Sequence, residues 1–298
     1  MKFNRKILIV GFGDVGARLA KMLTPKYRVL ALVRKSDRAD FARSLGVIPV
    51  FGDLDDPQSL RRIAGLADIV CHFAPPPLRG TVDSRTRHLL VALHQNRAAM
   101  LPQRLVYIST TGVYGDCGGE WIDETRNVQP STDRAIRRVH AEGLLRQWGI
   151  RTGVTISILR APGIYAADRL PIERLQKGTP ALVDADDVFT NHIHADDLAR
   201  AALVAITRGL PNRCYNVVDD SDLKMGDYFD VVADHFRLAR APRMTRTAAA
   251  EVISAPMMSF MSESRRIRNV RLKRELKFRF SHPTVTEFLS TLSLPKQK

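Results

Sequence analysis

The sequence predicts an α/β fold: a doubly wound parallel sheet followed by a smaller C-terminal cap. Three observations carry this. Short apolar runs alternate with amphipathic helical stretches through the first half, the pattern of βαβ units. A glycine-bearing turn, GFGDVG (11–16), follows the first apolar run and opens the first helix. After Arg160 the alternation stops, giving way to a loop-rich stretch (166–190) and a basic, methionine-bearing helical tail from Ser221.

Strands are expected at 6–10, 28–34, 47–53, 67–74, 104–110, 153–160 and 213–220. The first helix is expected from Asp14, with Pro25 just beyond its end. Further helices are expected near 37–45, over 81–100 and over 131–148, and one follows a turn within 191–209, with Asp196 as its N-cap. The expected division is 1–165 with 191–218 as the larger doubly wound domain, and 166–190 with 219–298 as the smaller cap.

The 298 residues suffice for a large core. The three cysteines, Cys71, Cys117 and Cys214, form no CxxC pair and read as reduced thiols. No apolar run suits a signal peptide or a membrane span, so a soluble cytoplasmic protein is expected. Net charge is +15, and twelve basic against three acidic residues lie between Arg237 and Arg279. Such a patch suits an acidic ligand or nucleic acid. No nucleic-acid motif or interleaved aromatic accompanies it, so a solvated basic face is preferred and no nucleic-acid partner is expected.

The glycine turn carries the sharpest chemistry. Gly11 permits the tight turn, Gly13 lets a pyrophosphate approach the backbone, and Gly16 lets helix and strand pack closely. The helix start at Asp14 and Val15 offers amide donors to phosphate. This is the Rossmann-like arrangement. At the end of the second strand an NAD site would place an acid for the ribose hydroxyls. Arg34 and Lys35 stand there instead, favouring the 2′-phosphate of NADP over NAD. Asp53, with Leu54 beside it, meets the adenine edge; alternatively Asp53 or Asp55 caps a helix near Pro57. Phe73, Ala74 and Pro75 end the fourth strand, where the cofactor should lie across the strand tips.

Taken in order, ISTTGVYG (108–115), LRAPGIY (159–165) and HIHADDLA (192–199) make the chain resemble the extended short-chain dehydrogenase/reductases of the NAD(P)-dependent epimerase/dehydratase type. More narrowly it resembles an atypical subgroup with GxGxxG in place of TGxxGxxG. The resemblance runs from Lys6 to about Phe288. It implies hydride transfer on a small carbonyl or hydroxyl substrate, with Thr110 as the Ser/Thr after the fifth strand, flanked by Ser109 and Thr111. Ser109, Arg138 and Pro162 complete the cofactor-lining set. The family's catalytic Tyr and Lys fall at positions 134 and 138, and this chain has Arg134 and Arg138 there.

Arginine does not give up a proton at working pH. Arg138 keeps the lysine's positioning role, and Arg134 suits a substrate carboxylate or phosphate. Tyr114 is the candidate proton donor or, equally, a structural residue. The expected catalytic set is Thr110, Tyr114, Arg134 and Arg138. Arg160, Tyr165 and Arg169 border the insertion and either meet substrate or pack the domains. No metal is expected from His192, His194, Asp196 and Asp197, nor from Asp184, Asp186 and Asp187. A sensor that binds NADP(H) without turnover is the rival reading. The resemblance implies a monomer, or a homodimer through the helices 81–100 and 131–148.

Overall fold

A computed structural model describes residues 5–95 and 100–293. Seven strands form one parallel sheet: β1 (Lys6–Val10), β2 (Arg28–Val33), β3 (Ile48–Phe51), β4 (Ile69–His72), β5 (Arg104–Thr110), β6 (Thr155–Ala161) and β7 (Arg213–Asn216). Their order is β7-β6-β5-β4-β1-β2-β3. The larger helices are α1 (Asp14–Leu23), α2 (Ser36–Ser44), α3 (Ser84–His94), α4 (Asp133–Thr152), α5 (Ala195–Arg208) and α6 (Met225–Phe236). No helix among the described residues is long and apolar enough to cross a membrane.

The central strand shows why the early runs read as continuously apolar. Ile7 and Ile9 of β1 join one core with Leu19 and Leu23 of α1 and Leu198 and Ala202 of α5. Leu8 and Val10 join the opposite core with Leu89 and Leu93 of α3 and Leu145 and Trp148 of α4. A strand covered on both faces needs apolar residues at every position. The chain leaves β1 toward β2 and later returns to β4 on β1's other side. That reversal opens a crevice at the carboxyl ends of β1 and β4.

Several element ends differ from the expectations. The helix expected over 81–100 is observed as Ser84–His94, capped by Asp83, whose side chain accepts from the Thr86 amide; residues 96–99 lie outside the described ones. The helix expected over 131–148 runs on to Thr152. Gly149 does not stop it, because that glycine is used for packing: a Cβ there would come 2.6 Å from Ile156. Gly153, at φ +76°, ends the helix in the left-handed region. The N-cap of α5 is His194, whose Nδ1 accepts from the Asp196 amide at 3.2 Å. Asp196 instead takes the Arg18 guanidinium at 2.6 Å. Asp56, rather than Asp53 or Asp55, caps the short helix Pro57–Leu60.

A third core gathers Tyr165, at the edge of the insertion, with Leu175, Tyr228, Phe229, Val232, Val285 and Phe288 from the insertion and the tail. Asp219 lies beside it, buried, with its amide donating to His192 and one carboxylate oxygen accepting from the Ser221 amide. Burial pushes its pKa up to about 7. From about pH 4, the ordinary carboxyl value, to about pH 7 the folded chain holds a proton the unfolded chain has lost. Asp219 therefore takes stability away as pH rises through that window. Burial works the other way on His192 and His194, lowering them to about 3 and about 4. Stability is lost as pH falls from 6.5, their ordinary value, down toward those values, where the folded chain takes up the protons too. Asp219→Asn isolates the carboxyl. The melting temperature of the parent should fall relative to the variant's between pH 4 and 7, and parallel curves would remove this role.

Much of the late positive charge is absorbed by ion pairing. Arg240 meets Asp234, Arg243 meets Asp230, Arg271 meets Glu124 and Lys273 meets Asp220. The acidic loop is used similarly. Asp184 holds Lys224, Asp186 accepts from the Arg246 amide, and Asp187 accepts from the Gly226 amide.

Candidate functional site

The site begins at the turn after β1. Gly11 adopts φ +96°, and a Cβ there would lie 2.3 Å from the Ala74 amide nitrogen. The ends of β1 and β4 touch only because that side chain is missing; the Phe73 and Ala74 amides both donate to the Val10 carbonyl, at 2.7 and 3.0 Å. A Cβ on Gly16 would come 2.9 Å from the Gly11 carbonyl, so α1 packs directly on the turn. A Cβ on Gly13 would meet nothing within 4 Å. Gly13 thus borders open space in front of a helix whose first amides lack intrahelical acceptors. The residues present fit a pyrophosphate.

A cleft of about 450 Å³ extends from this turn. Gly11, Gly13, Arg34, Lys35, Asp53, Leu54, Phe73, Ala74 and Pro75 all line it. Arg34 Nη1 lies 3.9 Å from Asp53. Among the lining residues that escaped the sequence reading are Phe12, Asp37, Arg38 and Arg85. Arg85 braces the proline wall, bonding Asp55 at 2.8 and 2.6 Å and the Pro75 carbonyl at 3.1 Å. That hydrogen bonding holds the Asp55 carboxyl below its usual range. Arg85 arrives from α3, distant in sequence, so no local pattern marks it.

Asp14, Val15 and Gly16 do not line this cleft. Val15 packs against the core. The Asp14 carboxylate is taken by Arg18 and Arg169, at 3.0 and 3.2 Å. Only the amides of this turn remain for a ligand, which suits an anion better than the carboxylate would.

A second cleft, about 580 Å³, lies at the ends of β5 and β6. Ser109, Thr110, Arg134, Arg138 and Pro162 line it together, joined by Arg174, Met225, Phe229, Met257, Glu263 and Arg265 from the insertion and tail. Thr110 accepts from the Gly112 amide at 3.2 Å. Arg138 Nη1 donates to the Tyr107 hydroxyl at 2.8 Å and to the Ile108 carbonyl at 2.9 Å. Burial pushes the Tyr107 phenol up to about 12 despite that guanidinium. Ser109 donates to Glu142, which grips Arg160 with both oxygens, at 3.0 and 2.7 Å. The methionine-rich tail was visible in the sequence, but nothing local shows that it folds back over β5.

Tyr114 is not brought to this cleft. It is 1% exposed, donates to Asn216 at 2.7 Å and lies under Arg160, 4.7 Å from its ring. Burial raises its pKa above the ordinary phenol value. Arg160 and Tyr165 are buried in packing, and Arg169 pairs with Asp14. No tyrosine is among the described residues lining the second cleft.

A glycine turn at a sheet's reversal point, open toward a helix start, defines a dinucleotide-binding doubly wound protein. Residues 7–217 match the model of the NAD dependent epimerase/dehydratase family, and the chain belongs to that family. Among relatives, human dTDP-D-glucose 4,6-dehydratase is 24% identical over 250 residues, covering 72% of this chain and 69% of the relative. GDP-6-deoxy-D-mannose reductase of Pseudomonas aeruginosa is 24% identical over 282 residues, covering 89% and 88%. Among solved structures, a conserved protein of unknown function from Silicibacter pomeroyi superposes with a TM-score of 0.77 at 25% identity, covering 96% of this chain and 97% of that one. The chain is thus one of the NAD(P)-dependent oxidoreductases and epimerases of extended short-chain dehydrogenase type.

Proposed function

We propose that this protein is an NADP(H)-dependent oxidoreductase or epimerase-like enzyme acting on a small carbonyl or hydroxyl substrate, anionic in character, held in the second cleft. The observation that carries the reading is the shared lining of that cleft by Thr110, Arg134 and Arg138, beside a first cleft that has Arg34 and Lys35 at the end of β2. In this reading the first cleft holds the adenosine half, with Arg34, Lys35 and Arg38 around a 2′-phosphate. Asp14 and Val15 offer amides, and Ser109 and Pro162 border the nicotinamide half. The bound nicotinamide supplies or accepts the hydride. Thr110 hydrogen-bonds the substrate oxygen. Arg138, pinned by Tyr107 and Ile108, fixes the cofactor's position, and Arg134 holds a substrate anion. Residues 166–190 and 219–298 act as the cap that brings the substrate, and the protein works in the cytoplasm with reduced thiols. A homodimer through the outer faces of α3 and α4, which expose Val91 and Ile150, is the assembly this reading favours over a monomer. Nucleic acid has no part in it.

One observation favours the second reading, a sensor that binds NADP(H) without turnover: Tyr114 is sealed away from the cleft. One assay separates the two. Purified protein with NADPH and a panel of ketones, aldehydes and oxo-acids should consume NADPH, and Thr110→Ala should slow consumption by about 10²–10³-fold. Tight NADPH binding with no consumption on any substrate would establish the sensor.

A further inference from the structure

The second cleft is unusually cationic for its lining, and its arginines differ in what they touch. Arg265 pairs with Glu263 at 2.6 Å. Arg138 and Arg174 make no ion pair with a carboxylate among the described residues. Arg138 rests on the Tyr107 hydroxyl and the Ile108 carbonyl, at the β5 end. Arg174 comes from the insertion; it donates to the Pro180 carbonyl at 2.6 Å and lies over the Phe229 ring at 4.6 Å, beside Met257. Its Nε is buried with no hydrogen-bond partner, as is that of Arg265. Burial lowers the Arg174 pKa, with no acidic group opposing it.

A part-buried guanidinium held only by neutral groups is costly, because the lost hydration is not replaced by a counter-charge. An anionic ligand lowers that cost. The two such arginines come from different parts of the fold: Arg138 beside Thr110 on the sheet, Arg174 on the insertion. The same lining carries Met225, Met261 and Phe229 together with polar Thr190, Asn191 and Ser259, and the Glu263 carboxylate that Arg265 neutralises. We infer that the substrate is a compact organic dianion: one carboxylate or phosphate sits beside the reacting carbon at Arg134, next to the Arg138 that positions the cofactor, and a second sits at Arg174 on the insertion. A nucleoside diphosphate sugar with a neutral hexose satisfies one end only. The inference rests on the second cleft being the substrate site.

The test is calorimetry on protein saturated with NADP⁺, whose own affinity is measured first. The probes are α,ω-dicarboxylates from succinate to pimelate, the monoanion butyrate, 3-phosphoglycerate and UDP-glucose. At least one dicarboxylate or 3-phosphoglycerate should bind about tenfold or more tighter than butyrate. The better of those two shows whether carboxylate or phosphate is preferred. Arg174→Met should bring that dianion down to the butyrate level and leave butyrate and NADP⁺ affinities unchanged, while Arg174→Lys should recover part of the loss. Dianions no tighter than butyrate, an advantage that survives Arg174→Met, or UDP-glucose binding best would each overturn the inference. Absence of NADP⁺ binding would instead overturn the cofactor reading.

Discussion

Arg34→Asp is expected to weaken NADPH binding by about 10²-fold or more while changing NADH affinity far less. Arg34 stands at the end of β2 and lines the first cleft, more than half exposed and 3.9 Å from Asp53. A guanidinium there meets a phosphate dianion through charge-assisted hydrogen bonds, each about twice as strong as a neutral one. The aspartate removes those bonds and adds repulsion, and a tenfold change in affinity corresponds to about 1.4 kcal/mol. The same aspartate offers a ribose diol the acceptor that NAD sites use. Titrating both reduced nucleotides into parent and variant reads the affinity ratio directly. A ratio left unchanged would end the NADP(H) assignment. Lys35 and Arg38 line the same cleft, so a partial effect should deepen when Lys35 is neutralised as well.

Glu142→Ala should be the most destabilising of these single changes, by about 3–5 kcal/mol. Glu142 and Arg160 are each 4% exposed and share two hydrogen bonds, with Ser109 donating to the same carboxylate. Burial works to lower the Arg160 pKa, but the Glu142 hydrogen bonds outweigh it and hold the guanidinium above its ordinary value. Without Glu142 a buried cation is stranded, with Tyr114 and Cys214 around it. Thermal unfolding should shift down by about 6–20 °C. The double variant Glu142→Leu, Arg160→Met should recover much of the loss, since an apolar pair of similar volume needs no counter-charge. A single variant as stable as the parent would show the pair to be dispensable. Because Ser109 precedes Thr110, the same variant should also loosen the tip of β5.

The strands and the glycine turn were legible because each is a local matter. An apolar run of four to seven residues covered on both faces, or a glycine where a Cβ would strike the backbone, leaves its mark in consecutive residues. Most of the first cleft could therefore be named in advance, from Gly11 to Pro75. Arg38 and Arg85 were not. They lie on helices where an arginine is ordinary, and only packing turns them toward the first cleft. Tyr114 was misleading for the opposite reason. Its place in VYG suggests a cleft residue, but β7 brings Asn216 and β6 brings Arg160 over it.

The sequence by itself determined the sheet, the glycine turn, the basic end of β2 and the placing of Arg134 and Arg138 on one helix, because these depend on period, spacing and residue type within a few positions. Only the tertiary structure decided which charges face a ligand and which are spent on each other. Asp14 goes to Arg18 and Arg169, and Arg240, Arg243, Arg271 and Lys273 of the basic tail are matched by earlier acids. Arg138 and Arg174 are left with neutral partners. The reason is that electrostatic pairing acts over a few ångströms of space, and residues far apart in the chain, such as Asp14 and Arg169 or Glu124 and Arg271, acquire that distance only when the chain folds.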